Sequence, residues 1–170
     1  MHVACTEFLT ACHVGDRSAT SIDGGGVLPG YTGVLVRDGY AGSTHLIDAA
    51  HAWCGAHSLR DLHAVYDADP ERQLWAKALA GTLLDANAAA QAARAAGQTT
   101  IKPSRLATIV NHYRGPMASP TTTGVGALAR EALTLARRFR SHEHMILRFA
   151  ADLAVPLTNN QAERGICQVK

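Results

Sequence analysis

The sequence lacks several features that would assign it to a class at once. Its 170 residues contain four cysteines without a C-x-x-C pair, which argues against a disulfide framework and against a four-thiolate zinc site. No apolar run approaches the roughly 20 residues of a membrane helix, and no basic region followed by an apolar stretch opens the chain. We therefore expect a cytoplasmic protein with reduced thiols.

The composition is that of one globular domain. Hydrophobic residues make up 47% of the chain and charged residues 18%, which suffices to bury a core. The net charge of +2 hides an asymmetry, because residues 1–99 have a balance of −4 and residues 100–170 a balance of +6. A basic half suits a polyanionic partner, although Arg on an ordinary helix surface would give the same balance.

The first third of the chain has the patterns of β-strands. The stretch HVACTEFLTACHV is rich in β-branched and small apolar residues and predicts a hairpin. In GVLVRDGY, the run from Val34 to Val36 is typical of a strand buried on both faces of a parallel sheet. We also predict a short helix before this strand, another short helix at THLIDAA and a further strand at HAWCGA.

The rest of the chain has mainly helical periodicity. Its strongest pattern is the Ala-rich stretch from Glu71 to Ala96, with Gly97 in the position of a C-terminal cap. Strands followed by this long helical stretch indicate an α/β core that is interrupted by a helical insertion. The other predicted helices run from His57 to Asp69, from Pro103 to Tyr113, from 127 to 153 with a break near Ser141, and onward from Pro156, with a loop at RGPMASPTTTGVG.

Asp38 follows the strand predicted at Val34 to Val36. Ligands of open α/β sheets usually bind at the carboxyl ends of the strands, and a carboxylate held there is well placed to bind a hard cation such as Mg²⁺. The alternative is that Asp38 and Gly39 merely form the turn that ends the strand. The residues alone leave both interpretations open.

Glu163 lies three residues after Asn160, at the start of the last predicted helix. If Asn160 caps that helix, Glu163 can reach back to the capping residue, as in a capping box worth about 1 kcal/mol. Thr158 and Gln161 offer the same arrangement two residues earlier. Taken by itself, the motif therefore indicates a helix start and requires no metal ion.

Four histidines recur at intervals of six residues, and Cys54 forms a C-x-x-H motif with one of them. A zinc site would need these side chains to converge, yet six residues correspond to about 240° around a helix. We therefore do not expect a zinc site here. The histidines are His45, His51, His57 and His63.

A basic cluster is predicted on the helix from 127 to 153. Arg137, Arg138 and Arg140 lie close together, with Arg130 a turn or two before them. These side chains could follow a phosphate backbone, or they could form a solvated face opposite the apolar stripe.

Three segments taken together resemble the DDE transposases of bacterial insertion sequences, specifically the family named after insertion sequence sixty-six. They are GVLVRDGYAG, AWCGAHSLRDL and VPLTNNQAERGI, they occur in the family's order, and the resemblance covers nearly the whole chain. It implies a ribonuclease H-like core, a mixed sheet with flanking helices, in which three acidic residues bring two Mg²⁺ ions together. The implied activity is metal-dependent cleavage and strand transfer of insertion-element DNA.

The resemblance also assigns roles to individual residues. Asp38 matches the family's second acidic residue and Glu163 its third, so both are expected to be catalytic and to bind Mg²⁺ or Mn²⁺. The residues of the same motifs that are expected to contact DNA are Arg60, Asn160 and Arg164.

The sequence departs from the family in several places. The family's first catalytic Asp lies on a strand upstream of the match to HVACTEFLTA, and neither Asp16 nor Asp23 is in an equivalent place. Gly165 and Cys167 stand where the family usually has an acidic residue and an Arg. We expect a truncated catalytic domain without its first core strand, inactive alone because two carboxylates seldom organise two metal ions.

This interpretation divides the single domain into a sheet-containing core at 1–66, a mainly helical insertion at 71–153 and the start of the catalytic helix at 156–170. Its partners would be the DNA of the element ends and of the target, at the nucleoid and without a membrane, and it is compatible with a homo-oligomer. The alternative is a non-catalytic α/β plus helical protein that uses its basic half only to bind nucleic acid or a partner. Arg60 would then be available to pair with Asp61 or a neighbouring acid.

Overall fold

A computed structural model of the chain describes residues 2–6, 9–16, 18–39, 41–118 and 126–160. Within these ranges the protein has a mixed α/β fold, as predicted. The strands are β1 at His2–Cys5, β2 at Thr10–His13, β3 at Val34–Arg37 and β4 at Ala50–Trp53. The helices are α1 at Ala19–Gly24, α2 at Gly55–Ala68, α3 at Leu74–Ala95, α4 at Pro103–Ala118, α5 at Ala127–Ser141, α6 at Glu143–Ile146 and α7 at Arg148–Ala151.

The predicted hairpin and the short helix after it are confirmed. Strands β1 and β2 pair antiparallel, with His2 opposite His13. Helix α1 begins after Ser18, whose hydroxyl accepts a hydrogen bond of 3.1 Å from the backbone N–H of Ser21, which satisfies one of the open donors of a helix start. The helix ends within the run of glycines at Gly24.

Strands β3 and β4 form a parallel pair in which Arg37 lies opposite Trp53. Both predicted strands are confirmed, but the prediction that β3 is buried on both faces is wrong. Val34 and Val36 are only partly buried against the core, and Leu35 is not part of it. The reason is that, in the described part of the chain, β3 pairs with β4 alone, which leaves its other edge and the Leu35 side less covered.

The helix predicted at THLIDAA is wrong, because this stretch forms turns after a short 3₁₀ helix at Ala41–Ser43. Two side chains explain the difference. The hydroxyl of Thr44 donates to the carbonyl of Ala41 (2.7 Å), and Nδ1 of His45 bonds to the carbonyl of Gly42 (2.9 Å). Such local bonds give the backbone an alternative to the helix.

The strongest helix prediction is confirmed at α3, which begins at Leu74 and ends at Ala95, with Gly97 in the expected capping turn. Gly97 has a φ of +68°, which favours glycine. Its N–H donates to the carbonyl of Arg94, and that of Gln98 donates to the carbonyl of Ala93, the bond pair of a Schellman motif.

Helix α4 extends beyond its predicted end, so the loop prediction was wrong for 114–118. Pro116 lies in the last turn of α4, where the ring removes one backbone hydrogen bond close to the helix end. Met117 is 3% exposed, and Arg140 donates to its carbonyl. The burial of Met117 and its hydrogen bond from Arg140 therefore compensate for the backbone hydrogen bond that is lost at Pro116. The predicted break near Ser141 is confirmed at the end of α5.

One hydrophobic core joins the helices to β4. Its members run from Ala52 to Val155 and come from α2, α3, α4, α5, α6, α7 and β4. Tyr113 and Phe139 are fully buried at its centre, and the Tyr113 hydroxyl donates to the carbonyl of Phe139 at 2.9 Å. Burial raises the pKa of Tyr113. The helices at 71–153 thus share their core with β4, and the division of the chain into parts stays a prediction.

Candidate functional site

Asp38 lies at the carboxyl end of β3, next to the point where β4 turns into α2. The N–H of Cys54 donates to the carbonyl of Arg37 at 2.7 Å, which extends the strand pairing to the residue before Asp38. Asp38 is partly buried, and Gly55 begins α2 directly after Cys54. The predicted placement of Asp38 at the carboxyl edge of a parallel pair is therefore confirmed.

The end of the described chain reaches the same edge. The N–H of Gly55 donates to the carbonyl of Leu157 at 2.7 Å. A side chain at Gly55 would lie under 3.0 Å from Leu157, so glycine is needed for this approach. Arg94 fixes the preceding residues, because Nε donates to the carbonyl of Leu153 and Nη2 to that of Val155, both at 2.8 Å. The segment that leads to Asn160 is thus held beside the strand end that carries Asp38.

Glu163 and Arg164 lie outside the described residues. Their expected roles, and the alternative of Glu163 as a helix cap, stay predictions. Asn160 is exposed, and its neighbour Asn159 has a buried Oδ1 without a hydrogen-bond partner among the described residues. Arg60 is exposed on α2, and none of the ion pairs among the described residues joins it to Asp61.

Arg37 is a residue of this edge that the sequence patterns did not indicate. Its side chain is buried, at 9% exposure. Nη1 donates to the backbone carbonyl of Asp38 at 3.0 Å, and Nε donates to Nδ1 of His51 at 2.9 Å. Burial lowers the pKa of Arg37, and the nearby Asp38 opposes that shift. The guanidinium therefore fastens the backbone of Asp38 to β4.

His51 receives the bond from Arg37 and is neutral in this arrangement. Its Nδ1 accepts from Arg37, so the proton lies on Nε2, which donates to the carbonyl of Leu46 at 3.1 Å. Arg148 donates through Nε to the backbone carbonyl of His51 at 2.9 Å. Burial lowers the pKa of His51, and the charges of Arg37 and Arg148 lower it further.

The six-residue spacing of the histidines does not produce a zinc site in the part of the chain that the structure describes, where no group of three or more His, Cys, Asp or Glu could hold a metal. His45 pairs with the carboxylate of Asp23 at 2.8 Å, whereas His51 bonds to Arg37. Cys54 is a fully buried thiol of the core. Asp38 supplies the hard oxygen that Mg²⁺ prefers, but its expected partner ligand lies beyond the described residues.

The four arginines of the basic cluster on α5 lie in different environments. Arg130 and Arg137 are exposed, as on a solvated helix face. Arg140 donates to the carbonyl of Met117 and thereby joins α5 to α4. Arg138 is only partly exposed and lies over the ring of Trp53, 5.1 Å from its centroid. The cluster is therefore more than a uniform solvated face.

The functional residues that were not predicted from the sequence had only weak signals there. Arg37 directly precedes Asp38, and His51 lies in the predicted second strand, but only the parallel register brings these two side chains together. Arg94 and Arg148 belong to none of the motifs described in the sequence. Their bonds to backbone carbonyls depend on tertiary packing, which no local pattern records.

The comparisons with known proteins agree with the resemblance in the sequence. Searches of curated proteins and of solved structures find no match. None of the described helices is long and apolar enough to cross a membrane. The model of the family described as "Transposase IS66 family" matches residues 1–170, the whole chain. The chain therefore belongs to the IS66 family of transposases.

Proposed function

We propose that the chain forms part of the metal-dependent catalytic centre of a DNA transposase, with Asp38 and Glu163 as ligands of Mg²⁺ or Mn²⁺ in a ribonuclease H-like core. One observation carries the proposal: the bond from Gly55 to Leu157 holds the segment leading to Glu163 beside the strand end that bears Asp38. A carboxylate at a strand end and a second one from a distant part of the chain would supply oxygen donors of the kind that Mg²⁺ prefers.

The residues of the chain have distinct tasks in this proposal. Arg37 holds the backbone of Asp38 and thereby orients its carboxylate. A bound Mg²⁺ supplies charge stabilisation to the oxygens of a reacting phosphate. The side chains that contact the phosphates of element-end or target DNA are Arg60, Asn160 and Arg164.

The 170-residue chain alone is expected to bind metal weakly and to leave DNA uncut. The resemblance assigns two of the family's three carboxylates to this chain, Asp38 and Glu163, and two carboxylates seldom organise two metal ions. Pairing with further protein, including a second copy of the chain at the nucleoid, is compatible with this proposal. Metal-dependent cleavage of element-end DNA by the purified chain would contradict the expected inactivity.

A titration with Mn²⁺ tests the metal site directly. Asp38→Asn and Glu163→Gln should each raise the dissociation constant for Mn²⁺ by at least about tenfold, the lower end of the loss seen for residues that only support a ligand. Asp48→Asn is the matched control, since Asp48 is an exposed carboxylate in the turns before β4. Circular dichroism checks that all variants fold.

Equal Mn²⁺ binding by the wild type and by the three variants would overturn the proposed site. Asp38 would then end its strand and Glu163 would cap its helix, and the chain would be a non-catalytic protein that uses its basic half for binding. A loss in only one of the two variants would show that the carboxylates do not share a metal ion.

A further inference from the structure

Three side chains form a stacked cluster next to Asp38, which we name the Trp53 cluster: Trp53, Arg138 and His142. The rings of Trp53 and His142 stack at 4.7 Å with an angle of 23° between their planes. The guanidinium carbon of Arg138 lies 5.1 Å from the centroid of the Trp53 ring. A cation at that distance is attracted by the ring face.

The local structure explains why these side chains meet. Trp53 is the last residue of β4, and Arg138 and His142 are four residues apart at the end of α5. The carbonyl of Arg138 accepts hydrogen bonds from the N–H of His142 (3.0 Å) and from its Nδ1 (2.8 Å). The helix end therefore presents both side chains on one side, against the indole.

The guanidinium of Arg138 also lies against the backbone that follows Asp38. A Cβ built on Gly39 would be under 3.0 Å from Nη2 of Arg138 and 3.7 Å from the Trp53 ring. Glycine at position 39 thus leaves the space that Arg138 occupies. A fixed cation lies one residue away from the carboxylate that is proposed to bind metal.

The way in which Arg138 is held leaves its donors available. The attraction of a ring face acts on the charge of a guanidinium and does not use its N–H groups as donors to an oxygen. Arg138 is partly exposed and makes no side-chain hydrogen bond or ion pair with the described residues. Arg37 and Arg140, by contrast, both donate to backbone carbonyls.

We propose that Arg138, oriented by Trp53, binds a backbone phosphate of DNA beside Asp38. The inference rests on the proposed function, because that function makes DNA the ligand. Planar N–H groups in a fixed orientation match the oxygens of a phosphate, and such contacts fix the position of a duplex without reading its sequence. Arg138 would thereby place a phosphate next to the metal-binding edge.

The test is fluorescence anisotropy with a labelled DNA duplex of arbitrary sequence and the purified chain at several salt concentrations. Arg138→Gln should weaken binding by about tenfold and reduce the slope of log K against log salt by about 0.9, the value for one lost phosphate contact. Arg137→Gln is the matched control, because it removes the same charge from an exposed position of the same helix. Arg137→Gln should change the affinity for DNA and the slope against salt much less than Arg138→Gln does.

Gly39→Ala provides a second test that keeps every charge. Its methyl group must displace the guanidinium of Arg138, so DNA binding should weaken as in Arg138→Gln. If both act through the same contact, the double variant should bind no more weakly than Arg138→Gln alone. Thermal unfolding verifies that each variant is folded.

Equal losses of DNA affinity in Arg138→Gln and Arg137→Gln would overturn this inference and leave the proposed function intact. Additive losses of DNA affinity in the double variant of Gly39→Ala and Arg138→Gln would do the same. Absence of DNA binding by the wild type would overturn the inference and the DNA part of the proposed function together. The Mn²⁺ titration does not involve Arg138. The metal site and the phosphate site can therefore fail separately.

Discussion

Residues 2–49 and residues 50–160 differ in how deeply their side chains are buried. Every buried residue of the main hydrophobic core lies at Ala52 or later. Among the described residues of the first region, only Arg37, Leu46 and Ala49 are buried, whereas Val14 and Ile47 are 84% and 85% exposed. Asp38 belongs to the region with little core of its own.

The comparison shows that the candidate site depends on the second region for its rigidity. Arg148 of α7 donates to the carbonyl of His51, and Arg138 of α5 lies over the ring of Trp53, so both contact β4 from the helical side. Arg37 bonds across from β3 to His51 of β4. A region with few buried apolar contacts opens at a lower free energy than the core does. The edge that carries Asp38 is therefore expected to owe its order to packing that lies outside β3.

The largest expected effect tests how much the buried core contributes to the free energy of unfolding. Phe139→Ala should lower the free energy of unfolding by about 3–5 kcal/mol, because Phe139 is fully buried and contacts Trp53 edge to face. Leu9→Ala should change it by less than about 0.5 kcal/mol, because Leu9 is 75% exposed. Urea denaturation measures both. Similar losses in the two variants would contradict the contrast between the regions.

A smaller effect is expected within the second region, at the contact that holds the end of the described chain beside β3. Gly55→Ala places a methyl group against Leu157 and strains the hydrogen bond between them, so we expect a loss of about 1–3 kcal/mol. It should also weaken Mn²⁺ binding, because the segment leading to Glu163 shifts. Thermal unfolding and the Mn²⁺ titration measure the two effects.

Gly81→Ala is the matched control for this substitution. Gly81 is exposed within α3, and a Cβ there meets nothing within 4 Å. Alanine should stabilise the helix by up to about 1 kcal/mol and leave Mn²⁺ binding unchanged. If Gly55→Ala behaves in the same way, the contact with Leu157 does not hold the site together.

The smallest expected effect concerns pH and distinguishes His51 from His45. The pKa of His51 is lowered below its ordinary 6.5, so the unfolded chain binds more protons there than the folded chain. The contribution of neutral His51 to the free energy of unfolding is fully present above pH 6.5. It is lost as the pH falls through the lowered pKa. Protonation of Nδ1 would also remove the acceptor that Arg37 uses.

His45 should behave in the opposite way. Its hydrogen bond with Asp23 raises the pKa of His45. The contribution of His45 to the free energy of unfolding is therefore present below pH 6.5 and is lost as the pH rises through the raised pKa. Denaturation of the wild type, His51→Gln and His45→Gln from about pH 7 to about pH 6 measures both slopes. Parallel profiles for all three proteins would show that neither bond affects stability.

The regular elements of the fold could be predicted from the sequence because their signals are local. The Ala-rich stretch with Gly97 predicted α3 and the glycine after its end, and the β-branched and apolar stretches of the first third predicted all four described strands. The errors arose where side chains or packing compete with the local pattern. Thr44 and His45 bond to nearby carbonyls and prevent a helix, and burial of Met117 extends α4 past Pro116.

The candidate site could be predicted only in part. The position of Asp38 followed from the rule for strand ends, and its role from the family motif. The bonds from Arg37 and Arg148 to His51, and the approach of Arg138 to Gly39, join residues that are distant in sequence or in different elements. No single-sequence pattern records such pairs. The role of Glu163 stays a prediction, because this residue lies outside the described chain.

The bond between Gly55 and Leu157 has a consequence for the order of events during synthesis. Arg148 already reaches His51 from 97 positions later in the chain, and Leu157 lies further still. A ribosome releases the hairpin, β3 and Asp38 long before it adds these residues. Because contacts between distant residues form only when both are present, the edge that carries Asp38 is completed only after Leu157 has been synthesised. A chain that is interrupted before Leu157 would hold a carboxylate at its strand end without the neighbour that the site needs.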